Sequence, residues 1–185
     1  MTTVYLDRMQ TPLGQLLLAH SGDQLCLLDF EDYASRFKTV LAHRFGSLPL
    51  VEEPMPTSMK DAFMAYFDGV LDALDSIPVH TAGTSFQQLV WGMLRRIAPG
   101  ETWSYAQLAK AIGHPGASRA VGTANARNPI ALIIPCHRVI DSQGRLAGYS
   151  GGTERKRWLL RHEGATWKEP ALKVAATPVA DTAAG

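Results

Sequence analysis

The chain has 185 residues, of which 46% are hydrophobic and 19% charged, a composition typical of one or two small globular domains with a real core. No apolar run approaches the roughly 20 residues of a membrane-spanning helix, and no basic-then-apolar secretion signal is visible. Two cysteines, Cys26 and Cys136, exclude a disulfide framework and a four-cysteine metal site. We therefore expect a reduced, cytoplasmic protein without membrane contact.

Charge divides the chain into two unlike parts. Residues 1–80 carry five Lys/Arg against eleven Asp/Glu, whereas residues 81–168 carry twelve against four. The formal net charge of +1 hides this asymmetry. A basic second part suits a polyanion such as nucleic acid, although basic surfaces are often only solvated surfaces.

The first part reads as a small α+β unit. Three short apolar runs within residues 3–30, separated by Thr-Pro-Leu-Gly and Ser-Gly-Asp turn signals, predict a three-stranded antiparallel sheet. Helical spacing of apolar residues predicts helices over 31–45 and 58–70, separated by a proline-punctuated linker over 49–56. No arrangement suited to catalysis occurs here, so we predict a structural domain over residues 1–80.

The second part begins with three helices. Thr84-x-x-Gln87 and Ser104-x-x-Gln107 are capping boxes, and each precedes an apolar pattern of helical period. We expect the first helix to end near Pro99-Gly100. Gly113 supplies a stop for the second helix, and a third helix is expected over 117–126. Two short helices joined by a glycine-containing turn form a helix-turn-helix pattern, which proteins that do not bind DNA also contain.

The third helix is unusually slim. Its residues are almost all small, and Arg119 is the one long side chain near its start. A recognition helix in the major groove needs several long polar side chains, which this helix lacks. Two interpretations remain open: close approach to a narrow groove or a phosphate backbone, or tight packing against a neighbouring helix.

A short apolar segment leads to the sequence that contains Cys136. Asn128-Pro129 ends the third helix, and residues 130–134 are expected to form a buried strand or extended segment. Pro135-Cys136-His137 follows it. A glycine-rich loop over 148–152 predicts close backbone approach to another group, and a last helix is expected over 153–162.

Cys136 has two interpretations. As a nucleophile it must be a thiolate, and a histidine oriented by a carboxylate can remove its proton. Glu163 is the candidate carboxylate, because an acid at a helix C-terminus is unfavourable unless it is paired. Alternatively, Cys136 is only a packed hydrophobe, as we expect for Cys26. Metal ligation is not expected, because the six histidines show no ligand spacing.

Several motifs together resemble the O6-alkylguanine-DNA alkyltransferases, strongly over residues 83–164 and loosely before them, through Thr11–Gly14 and Tyr66-Phe67. The order and spacing of the motifs make the resemblance specific. The matching pieces are Gly83–Gln88, Val90-Trp91, Gly100-Glu101, Ser104-Tyr105, Arg119–Gly122, Asn128-Pro129, Pro135–Ile140, Gly148–Gly152 and Leu159–Gly164.

The resemblance implies an α+β fold with a ribonuclease-H-like N-terminal domain (1–80) and a mainly helical DNA-binding and alkyltransferase domain (81–168). A patternless tail over 169–185 is expected to be disordered. The implied activity is DNA repair: O6-alkylguanine, and less readily O4-alkylthymine, is flipped out of duplex DNA bound through its minor groove. The alkyl group is then transferred irreversibly to the protein, once per molecule and without a cofactor. A monomer is expected, with cooperativity on DNA left open.

The resemblance also implies residue roles. Cys136 would be the acceptor, His137 its base through a water molecule, and Glu163 the residue that orients His137. Asn128 would connect the helix-turn-helix to the active-site turn, and Tyr105 would donate to guanine N3. Further residues would bind DNA (Ser104, Tyr105, Arg119 as the inserted finger, Ala120, Gly122, Thr123) or form the base pocket (Val139, Tyr149, Ser150, Gly151).

Two alternatives belong to other classes. One is a helix-turn-helix DNA-binding module without chemistry, for which Cys136 would be dispensable. The other is a cysteine hydrolase that uses Cys136, His137 and Glu163 and turns over many times. Both make predictions about the thiol that differ from a single, lasting alkylation.

Overall fold

The computed structural model describes residues 3–169. Residues 170–185, nearly all of the predicted disordered tail, lie outside the described residues. Within residues 3–169 no helix has the length and apolar character needed to cross a membrane. The elements in chain order are β1 (Val4–Thr11), β2 (Gly14–Ser21), β3 (Gln24–Phe30), α1 (Ala34–Phe45), β4 (Leu50–Glu52), α2 (Thr57–Phe67), α3 (Ser85–Leu94), β5 (Trp103–Ser104), α4 (Tyr105–Ala111), α5 (Ser118–Ala126), β6 (Val139–Ile140) and α6 (Thr153–His162).

The N-terminal sheet contains the predicted three-stranded meander and one strand more. Its order is β3-β2-β1-β4. The first three strands pair antiparallel, with Met9 opposite Leu16 and Leu18 opposite Leu28. The added strand β4 pairs parallel with β1 inside the segment predicted as a linker. Its three residues are all exposed. The sequence there shows no alternation of apolar and polar residues from which a strand could be predicted.

The central strands are buried on both faces. Leu17 and Ala19 of β2 face α1, whose Phe37, Leu41 and Phe45 cover that side of the sheet. Leu16 and Leu18 face the opposite side, where α2 and the C-terminal half pack. Successive strand residues point to opposite faces, so continuous apolar runs are required here. The mixed α+β class, with an antiparallel sheet before a mainly helical half, is confirmed.

Both capping boxes form as predicted. Thr84 Oγ1 accepts from the Gln87 amide at 3.2 Å, and the Gln87 side chain accepts from the Thr84 amide at 3.0 Å. The second box repeats this at Ser104. Helix α3 ends at Leu94, earlier than predicted, because the chain continues in tight turns that bury Ile97. Helices α4 and α5 pack against each other across a turn at Gly113, whose φ is 78°.

The apolar segment before Cys136 is buried as predicted, but it is not a strand over its length. Ile130 alone bridges to Leu28. The chain then turns on itself: Ile134 N donates to Ile130 O at 3.1 Å, and Leu132 has φ 70°, a left-handed conformation that is costly for leucine. A run of apolar residues carries no turn signal, so this bend was not predictable from residue types.

The two halves of the chain share one core. Leu28 N donates to Pro129 O at 3.0 Å, and Ala131 N donates to Leu28 O at 3.3 Å, so residues 129–131 of the C-terminal half lie alongside the edge strand β3. One continuous apolar cluster contains residues from Leu13 to Leu159. Arg155 adds a polar connection, because it donates to Leu13 O and pairs with Asp32 at 2.9 Å.

This shared core predicts cooperative unfolding of both halves. Leu28→Ala should lower the free energy of unfolding by about 2–5 kcal/mol, the usual cost of a buried leucine. All four tryptophans lie at or beyond residue 91, so their fluorescence reports the C-terminal half. We expect urea unfolding curves from fluorescence and from far-ultraviolet circular dichroism to shift together.

The matched control is Leu50→Ala on the exposed strand β4, where Leu50 is 43% exposed. Its effect should stay within about 0.5 kcal/mol. A fluorescence transition of Leu28→Ala that coincides with wild type would show that the halves unfold independently.

Candidate active site

Cys136 begins a single 3₁₀ turn, Cys136–Arg138, directly after the bend in the apolar segment. The residue is only 2% exposed. Burial raises the pKa of the Cys136 thiol, while the Asn128 amide and the nearby Lys156 cation act in the opposite direction. The thiol is therefore protonated at neutral pH, and a nucleophilic role requires a neighbouring base.

Asn128 connects the end of α5 to this turn. Its Nδ2 donates to the Ile134 carbonyl at 2.6 Å and to Cys136 Sγ at 3.1 Å. Its Oδ1 accepts from the Ile130 amide at 3.0 Å. One side chain thus fixes both ends of the bent segment and the position of the sulfur. An aspartate could not donate these bonds, since an ionised carboxylate only accepts.

His137 and Glu163 form a buried pair. His137 Nε2 lies 2.9 Å from Glu163 Oε1, and both side chains are at most 1% exposed. A carboxylate oxygen accepts, so Nε2 carries the proton. In the neutral ring Nδ1 is then unprotonated and able to accept a proton. That nitrogen is buried and has no hydrogen-bond partner among the described residues.

Glu163 directly follows α6 and is surrounded by donors. Oε1 accepts from the Tyr66 hydroxyl at 2.7 Å, from His137 and from Arg138 Nη2; Oε2 accepts from Arg138 Nε at 2.9 Å. Burial alone would raise the pKa of Glu163, but His137 and Arg138 hold it well below its usual range. The paired carboxylate that its unfavourable position predicted is therefore present.

The charge within this cluster is carried by Glu163 and Arg138. Burial lowers the pKa of His137 in spite of Glu163, so the imidazole is neutral at neutral pH. The Arg138 guanidinium, which also donates to the Ile97 carbonyl at 2.5 Å, neutralises the carboxylate. Arg138 balances the charge of Glu163, so a positive charge on His137 is not required. The neutral imidazole of His137 can therefore act as a base.

A cavity of about 290 Å³ opens at Cys136. Tyr105 and Tyr149 contribute aromatic surface to it, and burial raises the pKa of both tyrosines, so their hydroxyls remain donors. Val139 and Gly151, also predicted as pocket residues, are buried but do not line this cavity. The lining residues are Tyr105, Gly122, Asn125, Ala126, Cys136, Gly148, Tyr149 and Ser150.

The glycine-rich loop beside the cavity is held by the N-terminal half. A Cβ at Gly151 would lie 2.5 Å from the Phe30 ring and 2.6 Å from the Tyr149 ring, so only glycine fits. Arg36 donates to the Ser150 carbonyl at 2.9 Å while it pairs with Asp29. The close approach predicted from the glycines is thus an approach to Phe30.

A wider groove of about 790 Å³ lies next to the cavity, and Tyr105 and Gly122 line both. Arg119 is exposed at the start of α5. Both Arg119 and Thr123 line this groove, and Ala120 is exposed on the same helix. The Ser104 hydroxyl caps α4. The small residues of α5 also allow close packing, because Gly122 approaches the Tyr105 ring.

Lys156 on α6 is fully buried. Its Nζ donates to the Val139 carbonyl at 2.5 Å and to the Ala147 carbonyl at 3.3 Å. It therefore connects strand β6, after the cysteine turn, to the residue before the glycine-rich loop. Burial lowers the pKa of Lys156 to about 8, although the nearby Cys136 and Asp141 counteract the shift.

Sequence reasoning missed five residues that shape the site: Tyr66, Arg138, Lys156, Arg36 and Asn125. Arg138 adjoins the cysteine motif and could have been proposed as the partner of Glu163. The Asn125 side chain is 5% exposed and lines the cavity, and its Oδ1 is unpaired among the described residues. Within residues 3–169, no group of three His, Cys, Asp or Glu side chains is arranged to hold a metal ion.

Comparison with known proteins identifies the family. The family model of the 6-O-methylguanine DNA methyltransferase DNA-binding domain matches residues 85–165, and that of the ribonuclease-like domain of the same proteins matches residues 4–81. The Mycobacterium tuberculosis methylated-DNA–protein-cysteine methyltransferase is 54% identical over 163 residues, which cover 86% of this chain and 92% of that protein. The Shigella flexneri protein is 42% identical, with coverage of 85% and 94%.

A solved structure supports the same family assignment. The crystal structure of Mycobacterium tuberculosis OGT in complex with DNA superimposes with a TM-score of 0.73 at 41% sequence identity, covering 88% of this chain and 92% of that chain. Fold and site together therefore define a DNA-alkyltransferase class of protein. The chain belongs to the 6-O-methylguanine-DNA methyltransferase family.

The buried lysine predicts a specific pH dependence of stability. Between the folded pKa of about 8 and the ordinary 10.5, the unfolded chain binds more protons at Lys156 than the folded chain does. The stability of wild type relative to Lys156→Met should therefore rise by up to about 3 kcal/mol from pH 8 to 10.5. Urea unfolding of both proteins across this range measures the difference.

Lys60→Met on the exposed face of α2 is the control for the loss of one charge. Wild-type and Lys156→Met stabilities that stay parallel from pH 8 to 10.5 would contradict the prediction.

Proposed function

We propose that this protein repairs DNA by transferring an alkyl group from O6 of guanine, and less readily from O4 of thymine, to Cys136. The observation that carries the proposal is the buried thiol, which lies in a cavity beside a neutral histidine paired with a carboxylate. Family membership supports the same reaction. A DNA-binding module without chemistry would have no use for the His137–Glu163 pair.

The buried thiol requires the base to leave the helix. A cysteine that is 2% exposed cannot reach a base stacked in a duplex, so the target nucleotide rotates into the cavity. Unstacking costs a few kcal/mol, and least for a damaged, poorly paired base. The cavity of about 290 Å³ adjoins the wider groove, because Tyr105 and Gly122 line both spaces.

In the proposed transfer step each group has one role. His137 Nδ1 takes the Cys136 proton through a water molecule, and Glu163 holds the opposite ring nitrogen. The thiolate attacks the alkyl carbon, the carbon–O6 bond breaks and its electron pair leaves with guanine. The Tyr105 hydroxyl, donating to guanine N3, offsets the negative charge on the leaving base. The thioether product is stable, so each molecule reacts once and no cofactor takes part.

DNA lies along the wider groove in this proposal. The small residues of α5 approach the minor groove closely, and Arg119 enters the space left by the flipped nucleotide. Ser104, Ala120 and Thr123 lie along the same surface. Phosphate contacts from the basic half supply most of the affinity, so binding weakens with salt.

The remaining features of the proposal concern organisation. Residues 1–80 form the structural domain and residues 81–168 the DNA-binding and transfer domain. The protein acts as a monomer in the cytoplasm. The chain has only two cysteines, Cys26 and Cys136, which suits a reducing compartment.

Intact-protein mass after incubation with duplex DNA carrying O6-methylguanine tests the reaction. We expect one methyl group per molecule, located on Cys136 by peptide mapping, and no further gain with excess DNA. Cys136→Ser should bind the same DNA without any mass change, because its hydroxyl is far less nucleophilic.

An unchanged wild-type mass would overturn the proposal. Loss of the alkyl group from many DNA molecules per protein would indicate the cysteine hydrolase instead. Matched Cys26→Ser should retain the full methyl gain, because Cys26 is packed in the other apolar cluster below α1.

Arg119→Ala tests the finger role. The variant should lose at least about tenfold in rate on duplex DNA, because unstacking costs a few kcal/mol and each 1.4 kcal/mol is tenfold. Its rate with free O6-benzylguanine should change little, since no base has to be extruded. Single-turnover rates on both substrates provide the comparison.

Arg96→Ala, also on the basic half, controls for the loss of one positive charge. Equal losses on the duplex and the free base in Arg119→Ala would contradict the finger role.

A further inference from the structure

Tyr66 of α2 contacts the active site from the other half of the chain. Its hydroxyl donates to Glu163 Oε1 at 2.7 Å, across 97 residues of sequence. Tyr66 has no exposed surface. A phenylalanine would fill the same apolar volume, so the hydroxyl needs a specific partner to offset its burial. That partner is the carboxylate that holds His137.

The position of the Tyr66 ring is fixed from several sides. Phe67 and His162 pack edge-on against it, with ring centroids 5.3 Å and 5.1 Å away. His162 Nε2 donates to the Tyr66 carbonyl at 2.7 Å, which holds the backbone of α2 against the end of α6. The hydroxyl therefore cannot swing away from Glu163 without repacking this aromatic cluster.

Oε1 of Glu163 is shared by three donors: Tyr66, His137 and Arg138. Each donor disperses part of the negative charge of that oxygen. Removal of the Tyr66 hydroxyl would concentrate the charge on the remaining two. The attraction between Glu163 and the Nε2 proton would then increase, and this stabilises the imidazolium form of His137.

We infer that Tyr66 is a positioning residue for alkyl transfer, whose hydroxyl fixes Glu163 and limits its pull on His137 so that the imidazole remains an available base. The N-terminal half thereby completes the catalytic arrangement through Tyr66. This inference rests on the proposed function, because it concerns the same base and the same thiol.

The groups that face His137 are known, so a shift can be assigned. Glu163 accepts a hydrogen bond from His137, and Arg138 donates to Glu163. The Tyr149 ring packs edge-on against His137 at 6.4 Å, and Lys156 and Cys136 lie near. A Tyr66→Phe variant retains all five groups. A change in the titration of His137 then reports the missing hydroxyl alone.

The test is the pH dependence of the single-turnover rate with free O6-benzylguanine. In Tyr66→Phe the imidazolium is more stable, so His137 takes up its proton at a higher pH. The acid limb of the profile should therefore move upward by about one pH unit, which corresponds to about 1.4 kcal/mol. The maximal rate should fall severalfold, because Glu163 is held less firmly.

Phe67→Leu is the matched control. Phe67 belongs to the same aromatic cluster and contacts Tyr66 and Trp158, but it has no polar group near Glu163. It should lower the melting temperature and leave the acid limb at its wild-type pH, because the His162 ring and the hydrogen bond to Glu163 still hold Tyr66 in place. A shift of the limb in Phe67→Leu equal to that in Tyr66→Phe would assign the effect to packing and overturn the inference.

Glu163→Gln provides a second comparison. If Tyr66 acts through Glu163, adding Tyr66→Phe to Glu163→Gln should not move the acid limb further. A further shift in the double variant, or a Tyr66→Phe profile that superimposes on wild type, would overturn the inference.

The ring signals of His137, followed by NMR during a pH titration, separate this inference from the proposed function. Failure of wild type to gain an alkyl group on Cys136 would refute the function. The His137 titration in Tyr66→Phe would still decide the role of the hydroxyl, because it requires no substrate: a midpoint at higher pH supports the inference and an unmoved midpoint overturns it.

Discussion

The burial of one carboxylate determines most of the site. Glu163 sits just beyond the C-terminus of α6, where the helix dipole disfavours an anion, and it is 4% exposed. Such a charge persists only when it is paired and fully hydrogen-bonded. Arg138 supplies the charge, and Tyr66 and His137 supply further donors. Burial lowers the pKa of His137 and keeps its imidazole neutral, which is the state that a base requires, while Arg138 balances the charge of the carboxylate.

Burial of the Cys136 thiol lowers its intrinsic reactivity. Reactive cysteines are commonly exposed thiolates, whereas Cys136 is protonated and enclosed. In the proposed function, the protected thiol reacts only with a group brought into the cavity, where His137 accepts its proton. Under that proposal, selectivity for damaged bases follows from the cost of extruding a nucleotide, and the absence of turnover follows from the stability of the thioether.

The sequence predicted structure correctly where a single interaction between residues close in the chain determines it. The capping boxes at Thr84 and Ser104 fixed the starts of α3 and α4 correctly, because the reciprocal bonds involve residues three apart. The unfavourable position of Glu163 indicated a buried histidine partner. Non-local contacts were not predictable from spacing: Tyr66 meets Glu163 only after both halves have packed, and Lys156 looks like a solvated residue of a charged helix. The bend at Leu132 is held by hydrogen bonds of Asn128 to Ile130 and Ile134, which the residue types within the bend do not indicate.

Helix α6 and the residue directly after it, Glu163, carry four long-range polar contacts whose angular positions depend on each other. Arg155 reaches the turn between β1 and β2, Lys156 the strand after the cysteine, His162 the backbone of α2, and Glu163 the ring of His137. Lys156 and Glu163 are seven residues apart, close to two helical turns, and so face the same side. Deletion of one residue between them would rotate Glu163 by about 100° relative to Lys156, so the length of this segment is as constrained as its residue identities.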